Sequence, residues 1–308
     1  MNTAARFASV AVAALALMSS LRALEEILPI EVDSPDPKLA KIVLVSGEQT
    51  SNLAHQYWAG TTALYKLLLQ TPGVHVSVVR NGWPKNEAIF NNAKAIVLYM
   101  EGGEGGAIHP LSTPGRLETL QKALAGGAGL VTLHKGGAIP GDLGMKMMDL
   151  QGAYYDFKAS SKGHWLVDFH TFPDHPIMRG MKPYSLNDGY CIGLKFVPDM
   201  KGITPLLYAP KGTGITALAA ESTTAPKDIT AWTYDRPDGG RAFVSTGLHS
   251  HRYLTEESVR KFTVNGILWA AKLDIPAGGA KVDLDPAELD KNIEAAPAKV
   301  PVKKDAAQ

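Results

Sequence analysis

The chain has 308 residues, 45% of them hydrophobic and 20% charged, and its 31 basic and 30 acidic side chains leave a net charge of +1. This is ordinary globular usage, without the concentrated basic surplus of a nucleic-acid binder. The one cysteine, Cys191, excludes an internal disulfide and a thiolate metal cluster, and its setting, DGYCIGLKF, reads as a strand holding a small buried thiol rather than a nucleophile.

Residues 1–23, MNTAARFASVAVAALALMSSLRA, place Arg6 before an apolar run from Phe7 to Met18 and then small residues, the pattern of a secretory signal. The run is too short to cross a bilayer of roughly 30 Å as a helix. The expectation is export to the periplasm, cleavage after Ala23 and no stable membrane insertion. Residues 24–40, rich in proline and acidic groups, read as an entry linker.

From residue 41 two periods alternate. KIVLV (41–45), HVSVV (75–79), AIVLY (95–99) and GLVTL (129–133) are short, β-branched, nearly continuous apolar runs, which suit strands buried on both faces. Between the first two, Ala54, Tyr57, Trp58, Thr61, Leu64, Tyr65 and Leu68 recur at steps of three and four, an amphipathic helix. Before the fourth, Thr113-Pro114 reads as an N-cap with proline at the first helical position. Leu117, Leu120 and Leu124 then line one face, and Gly126-Gly127 stop the helix. Strand–helix–strand alternation with short connections predicts an α/β, doubly wound, mainly parallel sheet in a single domain.

Residues 140–200 show weak periodicity and read as loops and short strands. Strands are expected again at 204–209, 214–220, 229–234 and 241–246, making the sheet mixed. A closing helix starts near Thr255, with Glu256 and Glu257 in its first turn. The domain ends near 273. Residues 274–308, rich in Ala, Pro, Lys and Asp, read as a flexible tail with one helical turn near Glu288.

In parallel sheets ligands bind beyond the carboxyl ends of strands. His134 ends GLVTL and is followed by Lys135-Gly136-Gly137, while His249 and His251 follow RAFVSTG. Glycine at such places lets backbone approach closely or take positive φ. The third run opens into EGGEGG, a loop able to offer backbone N–H groups. His164, Leu166, Asp168 and His170 alternate on one face of a strand. His75 and His109 read as surface or structural.

The order of LVSGEQ, AHQYWAG, NGWP, AIVLYMEGGEGG, GLVTLHKGG, GHW, FPDHPIMRGM, NDGY, AWTYDRPDGGRAFVSTGLHSH and NGILWAA, over roughly residues 41–273, resembles the trehalose-utilisation (ThuA-like) family. The resemblance implies a class I glutamine amidotransferase-like, flavodoxin-like fold with helices on both faces of the sheet. It also implies that His134 stands where amidotransferases carry a nucleophilic cysteine on a tight elbow, which argues against thiol acyl transfer. His249 and His251 stand at the place of the amidotransferase histidine and glutamate. The family commonly shows an acidic pair before a tyrosine. Here Asn187-Asp188-Gly189-Tyr190 keeps one carboxylate.

The expected function is that of an exported enzyme of disaccharide or keto-sugar catabolism, with a non-catalytic sugar-binding module as the alternative. Companion sugar-catabolic proteins are expected partners. His134, His249, His251 and Asp188 are the expected catalytic groups, and His55, Gly102, Gly103, His164 and Tyr190 the expected substrate contacts. Imidazole acid/base chemistry and a divalent ion such as zinc on His134, His249 and His251 are both open. Trp58, Trp165 and Tyr190 are candidate sugar-stacking surfaces. Paired-carboxylate glycosidase chemistry would have to rest on Glu101 and Glu104, on one loop, and is disfavoured.

Overall fold

The structure, a computed structural model, describes residues 28–102, 109–211, 217–218 and 226–297. The apolar runs form strands β1 (Ala40–Ser46), β2 (Val74–Val79), β3 (Ala95–Tyr99) and β4 (Gly129–Leu133). Helix α1 (Tyr57–Leu68) follows β1, and α2 (Arg116–Ala125) precedes β4. Strands β9 (Ile203–Tyr208), β11 (Ile229–Asp235) and β12 (Arg241–Ser245) complete a seven-stranded sheet in the order β2-β1-β3-β4-β12-β11-β9. Neighbours from β2 to β12 run parallel, and β11 is antiparallel to both its neighbours. The sheet is therefore mixed, as the sequence led us to expect.

Period-two alternation sorts each strand between two core layers. Ile42 and Leu44 of β1 pack with α1 and with the closing helix α4 (Glu257–Ala270), while Val43 and Val45 pack against the layer that holds Leu117, Leu120 and Leu124 of α2. Met147 of α3 (Gly141–Gln151) joins that second layer. Helices thus cover both faces, and winding reverses beside β1, whose neighbours β2 and β3 lie on opposite sides.

Several expectations need correction. Helix α2 starts at Arg116, not at Pro114. The turn Pro110–Ser112 ends at Thr113, and Gly115, at φ +87°, sets the helix entry without a side-chain cap. Residues 140–200, expected as loops and short strands, contain the short antiparallel pair β5 (Ala153–Tyr154) and β8 (Lys195–Phe196), but also α3 and a long antiparallel hairpin of β6 (Ser161–Thr171) and β7 (Tyr184–Ile192). Only Gly144, Met147 and Gln151 of α3 are buried, which is why its stripe was too narrow to recognise. Of the strand expected at 214–220, the described part is β10 (Ala217–Leu218), beside β6; the remainder lies outside the described residues.

Both expected flanking segments pack down where they are described. Leu28 is buried with Trp58 and Val78, and Ile30 bridges Val78 at the sheet edge. After α4, residues 276–297 form a strap across the α1 side rather than a flexible tail. Leu289 is fully buried, Glu288 pairs with Lys66 at 2.5 Å and Glu294 pairs with Arg80. Gln56 and Glu294 exchange hydrogen bonds at 2.7 and 3.0 Å. A few apolar residues and paired charges anchor a segment whose average composition is polar. The expected helical turn is there, at Pro286–Asp290. Residues 1–27 and 298–308 lie outside the described residues. Among the described residues no helix is long and apolar enough to cross a membrane.

Candidate functional site

Four neighbouring parallel strands, β1, β3, β4 and β12, end at one rim, and the chain leaving each one delivers a polar side chain there. These are His55 after β1, Glu101 after β3, His134 after β4 and His249 after β12. His134 has φ +54°, a left-handed backbone costing an L-residue roughly 1–2 kcal/mol. The glycines behind it explain the sequence HKGG. A Cβ on Gly137 would come within 2.5 Å of Val244 Cγ1, and one on Gly136 within 3.0 Å of the Leu98 carbonyl oxygen. The turn after β4 therefore presses against its neighbouring strands, and the imidazole is thrust over the strand ends.

Ligating atoms of His55, His134 and His249 lie within 4.8 Å of one another. Nε2 of His134 is 3.3 Å from Nε2 of His55. The partners of the other ring nitrogens settle the tautomers. His55 Nδ1 donates to Glu101 Oε2 at 2.8 Å, and His134 Nδ1 donates to the Thr246 carbonyl at 3.3 Å. Asn52 Oδ1 accepts from the Ala54 N–H, so its Nδ2 donates to Nε2 of His55 (3.2 Å) and of His249 (3.3 Å). His249 then carries its proton on Nδ1 and donates to His164 Nε2 at 3.2 Å. Each ring turns an unprotonated Nε2 inward, and Asn52 Nδ2 is the donor that meets those of His55 and His249. Two such lone pairs at 3.3 Å repel unless a cation lies between them. With Zn–N bonds of about 2.0–2.1 Å in tetrahedral geometry, two nitrogens on one ion stand roughly 3.3 Å apart.

Burial, with the neighbouring imidazoles second, holds His134 well below the usual histidine range and brings His249 down to about 4. Both rings are thus neutral and able to ligate near neutral pH. Burial raises the Glu101 carboxyl, but hydrogen bonds from His55 and Lys135 prevail and hold it well below the usual carboxylate range. Lys135 Nζ is 2.5 Å from Oε1, and the Tyr57 hydroxyl donates to Oε2 at 3.1 Å.

Of the expected residues, His134 and His249 come together, and His55 joins them as a third inward-facing ring rather than as a substrate contact. His164 supports His249 from behind. His251 does not join. It begins the turn His251–Thr255, and its Nε2 donates to the Leu289 carbonyl of the strap at 2.7 Å. Asp188 lies one layer away from the rings. Its carboxylate accepts the N–H groups of Gly189 and Leu248, both at 2.6 Å, and of His249 at 3.1 Å, so it positions the loop that carries His249. Burial pushes this carboxyl up to about 7 against those three donors.

Tyr190 is a core residue, its ring 5.2 Å from Trp165 and its hydroxyl bonded to the Leu186 carbonyl, which removes it from the substrate contacts. Trp58 is buried beneath Arg80. Gly102 marks a close crossing, since a Cβ there would lie 2.8 Å from the Lys135 carbonyl oxygen. Gly103 and Glu104 lie outside the described residues. Sequence reasoning passed over Asn52 and Lys135, and considered Glu101 only for glycosidase chemistry. The signal for Glu101 was its position, directly beyond the end of β3.

A cavity of about 850 Å³ borders the centre. His55, Glu101 and Lys135 line it, and so does a second group formed by Trp83, His109 and Arg116.

The fold recurs in a solved structure. A ThuA-like protein from Bacteroides uniformis superposes with a TM-score of 0.52 at 11% identity, covering 78% of this chain and 94% of that one. A ThuA-like protein from Parabacteroides merdae gives 0.49 at 14% identity, covering 80% and 96%. No protein of curated function matches the chain in sequence. The family model described as trehalose utilisation matches residues 41–270. The chain belongs to the ThuA, or trehalose-utilisation, family.

Proposed function

We propose that this chain is a carbohydrate-active enzyme whose reaction centre is a divalent cation, zinc by donor chemistry, held by Nε2 of His55, His134 and His249 against the carbonyl of a keto-sugar or of a product of disaccharide breakdown. The observation that carries the reading is the convergence of three unprotonated imidazole nitrogens, two of them 3.3 Å apart, on rings whose Nδ1 atoms are all engaged; a bound cation would take the place of Asn52 Nδ2 at His55 and His249. Partners on the second nitrogen are how proteins orient zinc-ligating imidazoles. Three protein ligands leave one position open, as in catalytic rather than structural zinc sites. A cation so held polarises a carbonyl oxygen or acidifies water.

The chain's own residues do the rest. Glu101 keeps the proton of His55 on Nδ1, the Thr246 carbonyl does the same for His134, and Asp188 fixes the loop behind His249. The family description, trehalose utilisation, favours a sugar as the substrate. The signal-like pattern of residues 1–23 supports export of the mature enzyme to the periplasm, where other sugar-catabolic proteins would be its partners, and N-terminal sequencing of the periplasmic protein should begin at Leu24.

Zinc content by mass spectrometry, paired with product formation from keto-sugars and disaccharides, tests the reading. Wild type should carry about one zinc per chain, and chelation, His55→Ala and His134→Ala should each abolish both zinc and turnover. Metal-free protein that still turns over through His134 would assign the chemistry to imidazole proton transfer. Sugar binding without product from any substrate would make the chain a binding module.

A further inference from the structure

The proposed centre occupies one part of a cavity far larger than three imidazoles and a carbonyl need. About 850 Å³ lies in the range that encloses a whole small ligand. The second group of lining residues is built differently from the first. His109 is 3% exposed, and its Nδ1 accepts the Leu111 N–H at 3.1 Å, capping the turn Pro110–Ser112. A neutral ring with Nδ1 so engaged carries its proton on Nε2, and that buried nitrogen has no partner among the described residues. Burial lowers this imidazole to about 4, so it is neutral at physiological pH. The ring is therefore a desolvated N–H donor seeking an acceptor, an arrangement that is costly unless something accepts.

Arg116 lies beside it. One guanidinium nitrogen donates to the Pro110 carbonyl at 3.2 Å, and the group sits 5.4 Å from the centre of the Trp83 ring. Among the described residues it has no carboxylate partner. The other cation on the cavity wall, Lys135, is already neutralised by Glu101. A cation with free donors, an orphan N–H and an aromatic ring together form a subsite whose missing partner is an oxyanion.

We infer that Trp83, His109 and Arg116 form an anion-recognising arm of the substrate pocket, and that the substrate is a sugar acid bearing a carboxylate or phosphate at the end away from the carbonyl. The inference rests on the proposed carbohydrate chemistry for the nature of the other end. Trp83 supports Arg116 by cation–π contact, Arg116 supplies charge, and His109 donates to an anion oxygen or to a hydroxyl next to it.

Calorimetric titration of the full chain with D-glucose, D-glucuronate and D-glucose 6-phosphate tests this without needing metal or turnover. Wild type should bind at least one acid about 10–100-fold more tightly than glucose, the worth of one charge-assisted contact. The acid that wins distinguishes carboxylate from phosphate. Arg116→Gln, which keeps the stem over Trp83, should bring that ratio close to one, and Arg116→Lys should keep most of it. His109→Asn retains an acceptor for the cap and removes the Nε2 donor, so acid affinity should fall roughly tenfold or less. Thermal unfolding confirms that each variant is folded. Failure of any acid to bind, a wild-type ratio within twofold of one, or an unchanged ratio in Arg116→Gln overturns the inference. Turnover of neutral keto-sugars without acid preference would sink this arm alone, whereas acid preference with no turnover of any sugar would sink only the proposed enzyme.

Discussion

Glu101→Gln separates the electrostatics of the centre from its packing. The carboxylate accepts from His55 Nδ1 at 2.8 Å and pairs with Lys135 at 2.5 Å, and the side chains of Glu101 and Lys135 are 15% and 18% exposed. Glutamine keeps one carbonyl oxygen for His55 and turns its NH2 toward the Lys135 ammonium, donor against donor. The contact to Lys135 is charge-assisted and worth about 1.5–3 kcal/mol, and the bond to His55 falls to roughly half its strength when the acceptor becomes neutral. We expect a loss of about 2–4 kcal/mol at pH 7, read as a lower urea midpoint at constant slope.

The sign with pH follows from the lowered carboxyl. Folded Glu101 titrates below its unfolded value, so its contribution is complete above about 4.5 and is lost as pH falls further. Wild type and variant should therefore converge in acid. With His55 less firmly oriented, zinc affinity should drop by about 10–100-fold. A variant within about 0.5 kcal/mol of wild type at pH 7, with unchanged zinc affinity, would refute the account of how His55 is held.

Leu289→Ala removes the fully buried anchor of the C-terminal strap and should cost about 2–4 kcal/mol in urea denaturation; an unchanged midpoint would mean the strap is not part of the fold. His109, lowered to about 4 by burial, makes the unfolded chain the better proton binder between pH 6.5 and 4. Stability should thus decline across that window by up to about 3 kcal/mol, and His109→Asn should flatten the decline. A Cβ on Gly189 would lie 2.9 Å from His164 Nε2 and 3.0 Å from His249 Cβ, so Gly189→Ala should displace His249 and weaken zinc binding, measured by competition with a chelating dye.

Much of the architecture was legible because its signal is local. β1 to β4 announce themselves as β-branched apolar runs, and burial on both faces is why those runs lack alternation. His134 was legible for a related reason, since an imidazole after such a run with two glycines behind it can only stand at a strand end. Helix α3 was not legible, because little of its surface is buried. The strap was not legible either, because Leu289 and two acidic side chains hold it in an otherwise polar segment.

The amino-acid sequence by itself determined the doubly wound sheet, the position of its rim and the family, because hydrophobic periodicity and motif order act along the chain. Only the tertiary structure decided which histidines meet. His249 and His251 are two residues apart and look equivalent in sequence, yet one turns its Nε2 toward the centre and the other donates to the Leu289 carbonyl. His55, far upstream, completes the trio because β1 lies two strands from β4 in the sheet, a neighbourhood set by strand order rather than by distance along the chain.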